Sequence, residues 1–136
     1  MSEAAVGGVV TFDELAASRR DWIQSVLRVW CRRASVKELR KAELEWFDLA
    51  GRADAGATLW KWAWERFPEA VHADMPGLNE TYELLVELRD GRVLRGYPDA
   101  RQSIRGQLVL LGRAQEGALQ QLPTVQLDDV WGMRRC

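Results

Sequence analysis

Acid–base chemistry near neutral pH rests on a single residue, because the chain holds one histidine, His72. In His72-Ala-Asp74 a carboxylate stands two positions on, where it can orient a general base. No nucleophile is tied to that pair by sequence. Cys31 falls inside an apolar helical pattern, where a thiol is inert, and no serine occupies a strand-to-helix elbow. Cys136 is the last residue, so a buried thiol and a loose end are expected rather than a disulfide framework. Asp128-Asp129 is a carboxylate pair, yet neighbours in a strand point to opposite faces, and a turn is the expectation. No Cys/His spacing suits a metal. Gly7-Gly8 and the later single glycines build no phosphate cradle. No catalytic residue, metal site or cofactor is therefore expected, and the chain does not read as an enzyme.

Recognition chemistry is better supplied. Arginine outnumbers lysine 16 to 3, and guanidinium forks suit phosphate and carboxylate. One basic patch comprises Arg28, Arg32, Arg33, Lys37, Arg40 and Lys41, against Glu38 alone. The competing explanation is that cations collect at a helix C-terminus and pair with Glu43, Glu45 and Asp48. A second basic stretch, Arg92, Arg95, Arg101 and Arg105, is opposed by Asp99 and carries Tyr97 as a stacking ring; its plain alternative is a solvated strand face. The seven tryptophans are the other resource, each able to bury roughly 150–250 Å².

Elements must position these groups, and the first half reads as helical. Thr11-Phe-Asp-Glu14 is a capping-box signature, followed by Leu15, Trp22, Ile23, Val26, Leu27 and Trp30 on one face to about Arg33. Ser35-Val-Lys-Glu38 repeats the start for a second helix with Val36, Leu39, Trp46, Phe47 and Ala50 as its stripe and Gly51 as its stop. Asp54 is placed to cap a third helix carrying Leu59-Trp-Lys-Trp-Ala-Trp64, ended by Pro68. On this reading Trp22, Trp30, Trp46, Trp60 and Trp64 face inward. Trp62 lies off the stripe, as a packing wedge or an exposed binding anchor.

The second half reads as β. His72 to Asn79 is polar and broken by Pro76-Gly77, a linker. Tyr82 to Leu88 alternates with period two, Asp90-Gly91 marks a hairpin turn, and Val93 to Tyr97 follows. Leu108 to Leu111 is a third strand, 113–123 a loop or short helix, and Thr124 to Leu127 and Val130 to Met133 are closing strands. Within this stretch Leu88-Arg-Asp-Gly-Arg-Val-Leu-Arg-Gly96 resembles the L-x-D-G-x-x-L-x-G hairpin of Sm-like small barrels, and Ile104-Arg-Gly106 is similar to the Arg-Gly element of their second motif. The likeness spans residues 82–111. Pro98 departs from it, standing where a long bent strand would run. The resemblance implies a small SH3-like barrel that forms rings or pairs, with Arg105 nearest a nucleotide contact, and it implies no catalysis.

The expected fold is α+β: an N-terminal three-helix layer packed on a small C-terminal antiparallel β-barrel or curled sheet of four to five strands. Residues 1–10 read as a flexible N-terminus, 11–70 as the helical part, 71–80 as linker and 81–136 as the β unit, together one compact unit. With 136 residues and 47% of them hydrophobic, a packed core is expected. The net charge of −1 gives no bulk argument for DNA or an anionic membrane. No apolar run reaches the length of a membrane span, and without a signal-peptide pattern the cytoplasm is the expected location. The reading is a non-catalytic protein-interaction or regulatory module with a protein partner or a second copy, anchored by Trp62, Tyr97 and arginines. Binding of RNA or single-stranded DNA through the two arginine patches is the second reading, and an enzyme the third.

Overall fold

A computed structural model of the chain describes residues 11–51, 54, 58–72, 77–114 and 116–136. The expected flexible segment 1–10 lies outside the described residues.

Helix α1 (Phe12–Trp22) starts on the expected capping box: Glu14 N–H donates to Thr11 Oγ1 at 3.1 Å, and the Glu14 carboxylate accepts from Thr11 N–H at 3.4 Å. It continues through a π-turn (Ile23–Leu27) into α2 (Arg28–Cys31), where the Arg28 N–H reaches back five residues to Ile23 O. The wider turn changes the phase of the apolar stripe. Leu27 is buried and Ile23 and Trp30 are half-buried, whereas Leu15, Trp22 and Val26 remain 58%, 38% and 50% exposed. The expectation that all six share one buried face, Trp22 included, is corrected by that shift.

The Ser35–Glu38 capping box opens α3 (Val36–Leu44), with Glu38 N–H donating to Ser35 Oγ at 3.1 Å. The expected single second helix is broken. Glu45 leaves helical geometry (φ −102°, ψ 12°), and α4 (Trp46–Ala50) starts anew. The break leaves Leu44 in solvent and puts Trp46 in the core.

Helix α5 (Leu59–Trp64) is shorter than expected, with Thr58 rather than Asp54 at its N-cap. Leu59, Trp60, Trp62, Ala63 and Trp64 are all buried. A helix that buries five of its six residues has to be largely enclosed, and only Lys61 of α5 stays half-buried. A 3₁₀ turn (Pro68–Ala70) follows, with Pro68 at its start. The ends of the expected linker are packed: Val71 bridges Leu78, Leu78 and Asn79 are buried, and Asn79 N–H donates to Ala70 O at 2.8 Å.

The β unit comprises β1 (Leu84–Leu88), β2 (Val93–Pro98), β3 (Gln107–Leu108), β4 (Leu110–Arg113), β5 (Leu119–Gln121), β6 (Val125–Gln126) and β7 (Val130–Arg135). Leu84, Val86 and Leu88 of β1 point inward in alternation. The Asp90-Gly91 turn joins β1 to β2 as expected, with Gly91 at φ 94° and Glu87 opposite Val93. Pro98 is the buried last residue of β2, opposite Leu110, so it ends that strand and does not interrupt it.

Five strands form an antiparallel sheet in the order β5-β4-β2-β1-β7, and β3 and β6 pair separately. The sheet stays open, which corrects the barrel half of the expectation. Val109 stands between β3 and β4. Its N–H turns to Ser103 Oγ (2.8 Å) and its carbonyl to Asp99 N–H (2.9 Å), dividing one apolar run between two sheets. The stretch expected as a loop or short helix instead supplies β5, where pairing with β4 overrides helical propensity.

One cluster of buried side chains draws on both halves, including Cys31, Leu39, Leu59 and Ala63 from the helices and Leu84, Val86, Leu108, Leu110 and Val130 from the strands. Arg66 ties it together, donating to Ala63 O (2.9 Å), Cys31 O (3.0 Å) and Ala34 O (2.7 Å), so one guanidinium caps two helix ends.

Candidate functional site

Trp62, the expected anchor, is a core residue with 9% exposure. Its ring meets Trp46 edge-on at 6.2 Å and lies 5.6 Å from the Arg28 guanidinium. It fell off the apolar stripe because the stripe describes a helix with one buried side, and α5 buries residues on more than one.

The first basic patch is divided. Arg28 binds Glu65 with both carboxylate oxygens (2.9 and 2.6 Å), and Arg32 reaches the same carboxylate at 3.0 Å. Burial opposes ionisation of Glu65, but the hydrogen bonds from Arg28 and Arg32 outweigh it and hold its carboxyl below the ordinary value. These two arginines clamp α2 to α5. Lys37, Arg40 and Lys41 are exposed along α3, and Arg33 faces another cleft, described below.

The hairpin patch is divided as well. Arg92 closes its own turn on Asp90 at 2.8 Å, and Arg95 pairs with Glu83 at 3.3 Å. Tyr97 is half-buried opposite Leu111, and Arg101 is exposed. Arg105 has a left-handed backbone (φ 49°), the one non-glycine residue among those described to do so. It pairs at 3.3 Å with Glu43, which also accepts from Trp60 Nε1 at 3.1 Å. The two patches come together where Arg40 and Arg105 border one hollow with Glu43.

Arg105 stands at the mouth of a cleft of about 460 Å³ between the helices and the β2–β3 connection. Trp60, Trp64, Val71 and Leu78 give it apolar walls, and Ser103, Lys61 and Glu43 a polar rim. Gly106 seats the connection: at φ 82° its missing Cβ would lie 3.0 Å from both Trp60 and Val36.

Of the residues considered for catalytic chemistry, His72, Cys31, Asp128 and Asp129 are described. His72 is half-buried, and its pairing with Asp74 lies outside the described residues. Cys31 is fully buried, and desolvation pushes its thiol up to about 12. Asp128 and Asp129 sit in a 3₁₀ turn (Leu127–Asp129), where the Asp128 carboxylate accepts from Val36 N–H at 2.9 and 3.2 Å and so caps α3. No group of three or more possible metal ligands occurs among the described residues. No described helix is long and apolar enough to cross a membrane.

Two surfaces were not singled out from the sequence. The first is the groove between the α1–α2 helix and α4. Leu15, Trp22 and Val26 line one wall and Leu49 the other, in two adjoining hollows of about 510 and 280 Å³ that share Trp22 and Leu49. Arg19 closes its floor, donating to Asp48 O at 2.7 Å and to Leu49 O, with its guanidinium 5.8 Å from the Trp22 ring. Residue type and spacing carry no signal for it, because it accompanies the change of phase at the π-turn. The second surface surrounds Trp131. The chain matches no protein-family model, and no significant match is found among curated proteins or solved structures.

Proposed function

We propose that the protein is a non-catalytic interaction module that pairs with a second copy of itself along the exposed face of the α1–α2 helix. The observation that carries this is the row of large apolar side chains left in solvent on one helix: Leu15, Trp22, Val26 and Val29, the last 42% exposed. Burial of such a row is worth about 25 cal/mol per Å² before association costs. Charge supports a second copy as the occupant. The helix begins with Asp13 and Glu14, while at its far end Arg28 and Arg32 share the single carboxylate of Glu65. Antiparallel pairing sets the acidic start of one copy against the net positive end of the other, and gives the closed two-fold symmetry most dimers use.

The Leu88–Gly96 hairpin motif and the return of the last strand to the first support a likeness of the β unit to Sm-like proteins, which pair or form rings, with an open sheet in place of their closed barrel. Arg105 beside Glu43 stands where that likeness would set a ligand contact. Val26→Glu tests the pairing face. Val26 is half in solvent, so the fold tolerates the change while the seam gains a charge. Dimeric wild type and monomeric variant support the reading; wild type that stays monomeric at all concentrations removes it.

A further inference from the structure

Trp131 is 65% exposed, the most exposed aromatic residue described. The strand pairing explains it. Glu87 faces Gly132 and Leu88 faces Val130, so Trp131 is the extra residue of a β-bulge. Bulges re-aim a side chain out of the sheet's alternation. Here the indole borders a cleft of about 390 Å³ that also takes in Arg33, Arg66 and Arg89. That size falls in the range of small-ligand sites.

The cleft holds two carboxylates as well, and both are engaged by backbone N–H groups. Asp128 accepts from Val36 N–H at 2.9 Å, and Glu38 accepts from Ser35 N–H at 2.9 Å. Arg66 is turned inward onto helix carbonyls. Arg89 uses Nε on Asp128 O at 3.0 Å, which fixes its guanidinium with the two terminal nitrogens still to give. The Arg33 side chain makes no hydrogen bond or ion pair among the described residues, and the residue is exposed. A flat aromatic face beside two guanidinium forks matches a ring with an attached phosphate: base on indole, phosphate on arginine.

We propose that Trp131, Arg33 and Arg89 form a binding site for a nucleotide unit, supplied by single-stranded nucleic acid or by a free mononucleotide. An acidic peptide would satisfy the arginines and leave the indole without a partner, so the nucleotide is the better match. Trp131 and Arg89 lie outside the groove of the proposed dimer, whose smaller hollow Arg33 also borders, so failure of the Trp131→Ala arm would leave that reading intact.

The test is fluorescence anisotropy of a labelled dodecamer of uridine at low salt, with ADP and a polyglutamate peptide as competitors. The protein is compared with Trp131→Ala, Arg33→Gln and, as a control cation outside the cleft and both basic patches, the exposed Arg113→Gln. Trp131→Ala is expected to weaken binding about 5- to 150-fold, the range for losing one base-on-aromatic stack. Arg33→Gln should weaken it and flatten the salt dependence by roughly 0.7 in log–log slope for one lost phosphate contact. Arg113→Gln should change neither. Displacement by ADP at comparable affinity identifies a free mononucleotide as the source, and retention against ADP identifies the strand. Absence of binding by both, equal binding by Trp131→Ala, or displacement by polyglutamate as effective as by unlabelled strand overturns the proposal. All three variants change exposed side chains, and circular dichroism confirms their fold.

Discussion

At Cys31, burial outweighs the nearby Arg66 charge and pushes the thiol up from 9.0 to about 12. Raised pKa means that the folded state keeps its proton after the unfolded state has lost it. The contribution to stability is complete below pH about 9 and disappears as pH rises toward 12. Ellman's reagent at pH 8 should therefore titrate Cys136 at once and Cys31 only after denaturation; two fast thiols would contradict the placement. Glu65 has the opposite sign. Its carboxyl is held low by Arg28 and Arg32 against the cost of burial, so its contribution is present above the ordinary value of 4.5 and is lost as pH falls below it. Glu65→Ala leaves two guanidiniums without their shared acceptor and should cost about 1.5–3 kcal/mol in chemical denaturation. A change under about 0.5 kcal/mol would mark the clamp as an ordinary surface pair.

Elements account for what the sequence disclosed and what it withheld. Helix starts were legible because capping is local: Thr11 with Glu14 and Ser35 with Glu38 make the bonds their spacing implies. The Asp90-Gly91 hairpin was legible for the same reason. Features set by partners distant in sequence were not. The π-turn at Ile23–Leu27 moves Trp22 and Val26 to the surface without a signal in residue type. The bulge at Trp131 depends on register with β1, and β5 forms from residues of helical composition because β4 offers an edge. The Trp62 environment depends on α5 being enclosed, which no single stripe reports. Gly106 is a tertiary feature also: Gly106→Ala meets strain at φ 82° and contacts at 3.0 Å with Trp60 and Val36. It should cost about 1–3 kcal/mol, read as a lower urea midpoint at unchanged slope. An unchanged midpoint would show that the connection yields freely.

Across the whole molecule, helices and sheet share one core, so the protein should unfold in a single transition in which tryptophan fluorescence and far-UV circular dichroism coincide. Separate transitions would mean that the two halves are independent. What a shared core leaves over is surface, and on the α1–α2 helix that surface carries a row of four large apolar side chains, Leu15, Trp22, Val26 and Val29. The most direct measurement is the mass of wild type and Val26→Glu by light scattering coupled to size exclusion, across a hundredfold range of concentration. The account predicts a two-chain mass for wild type and a single-chain mass of 15.5 kDa for Val26→Glu with unchanged circular dichroism. A single-chain mass for both proteins, or a two-chain mass for both, contradicts it.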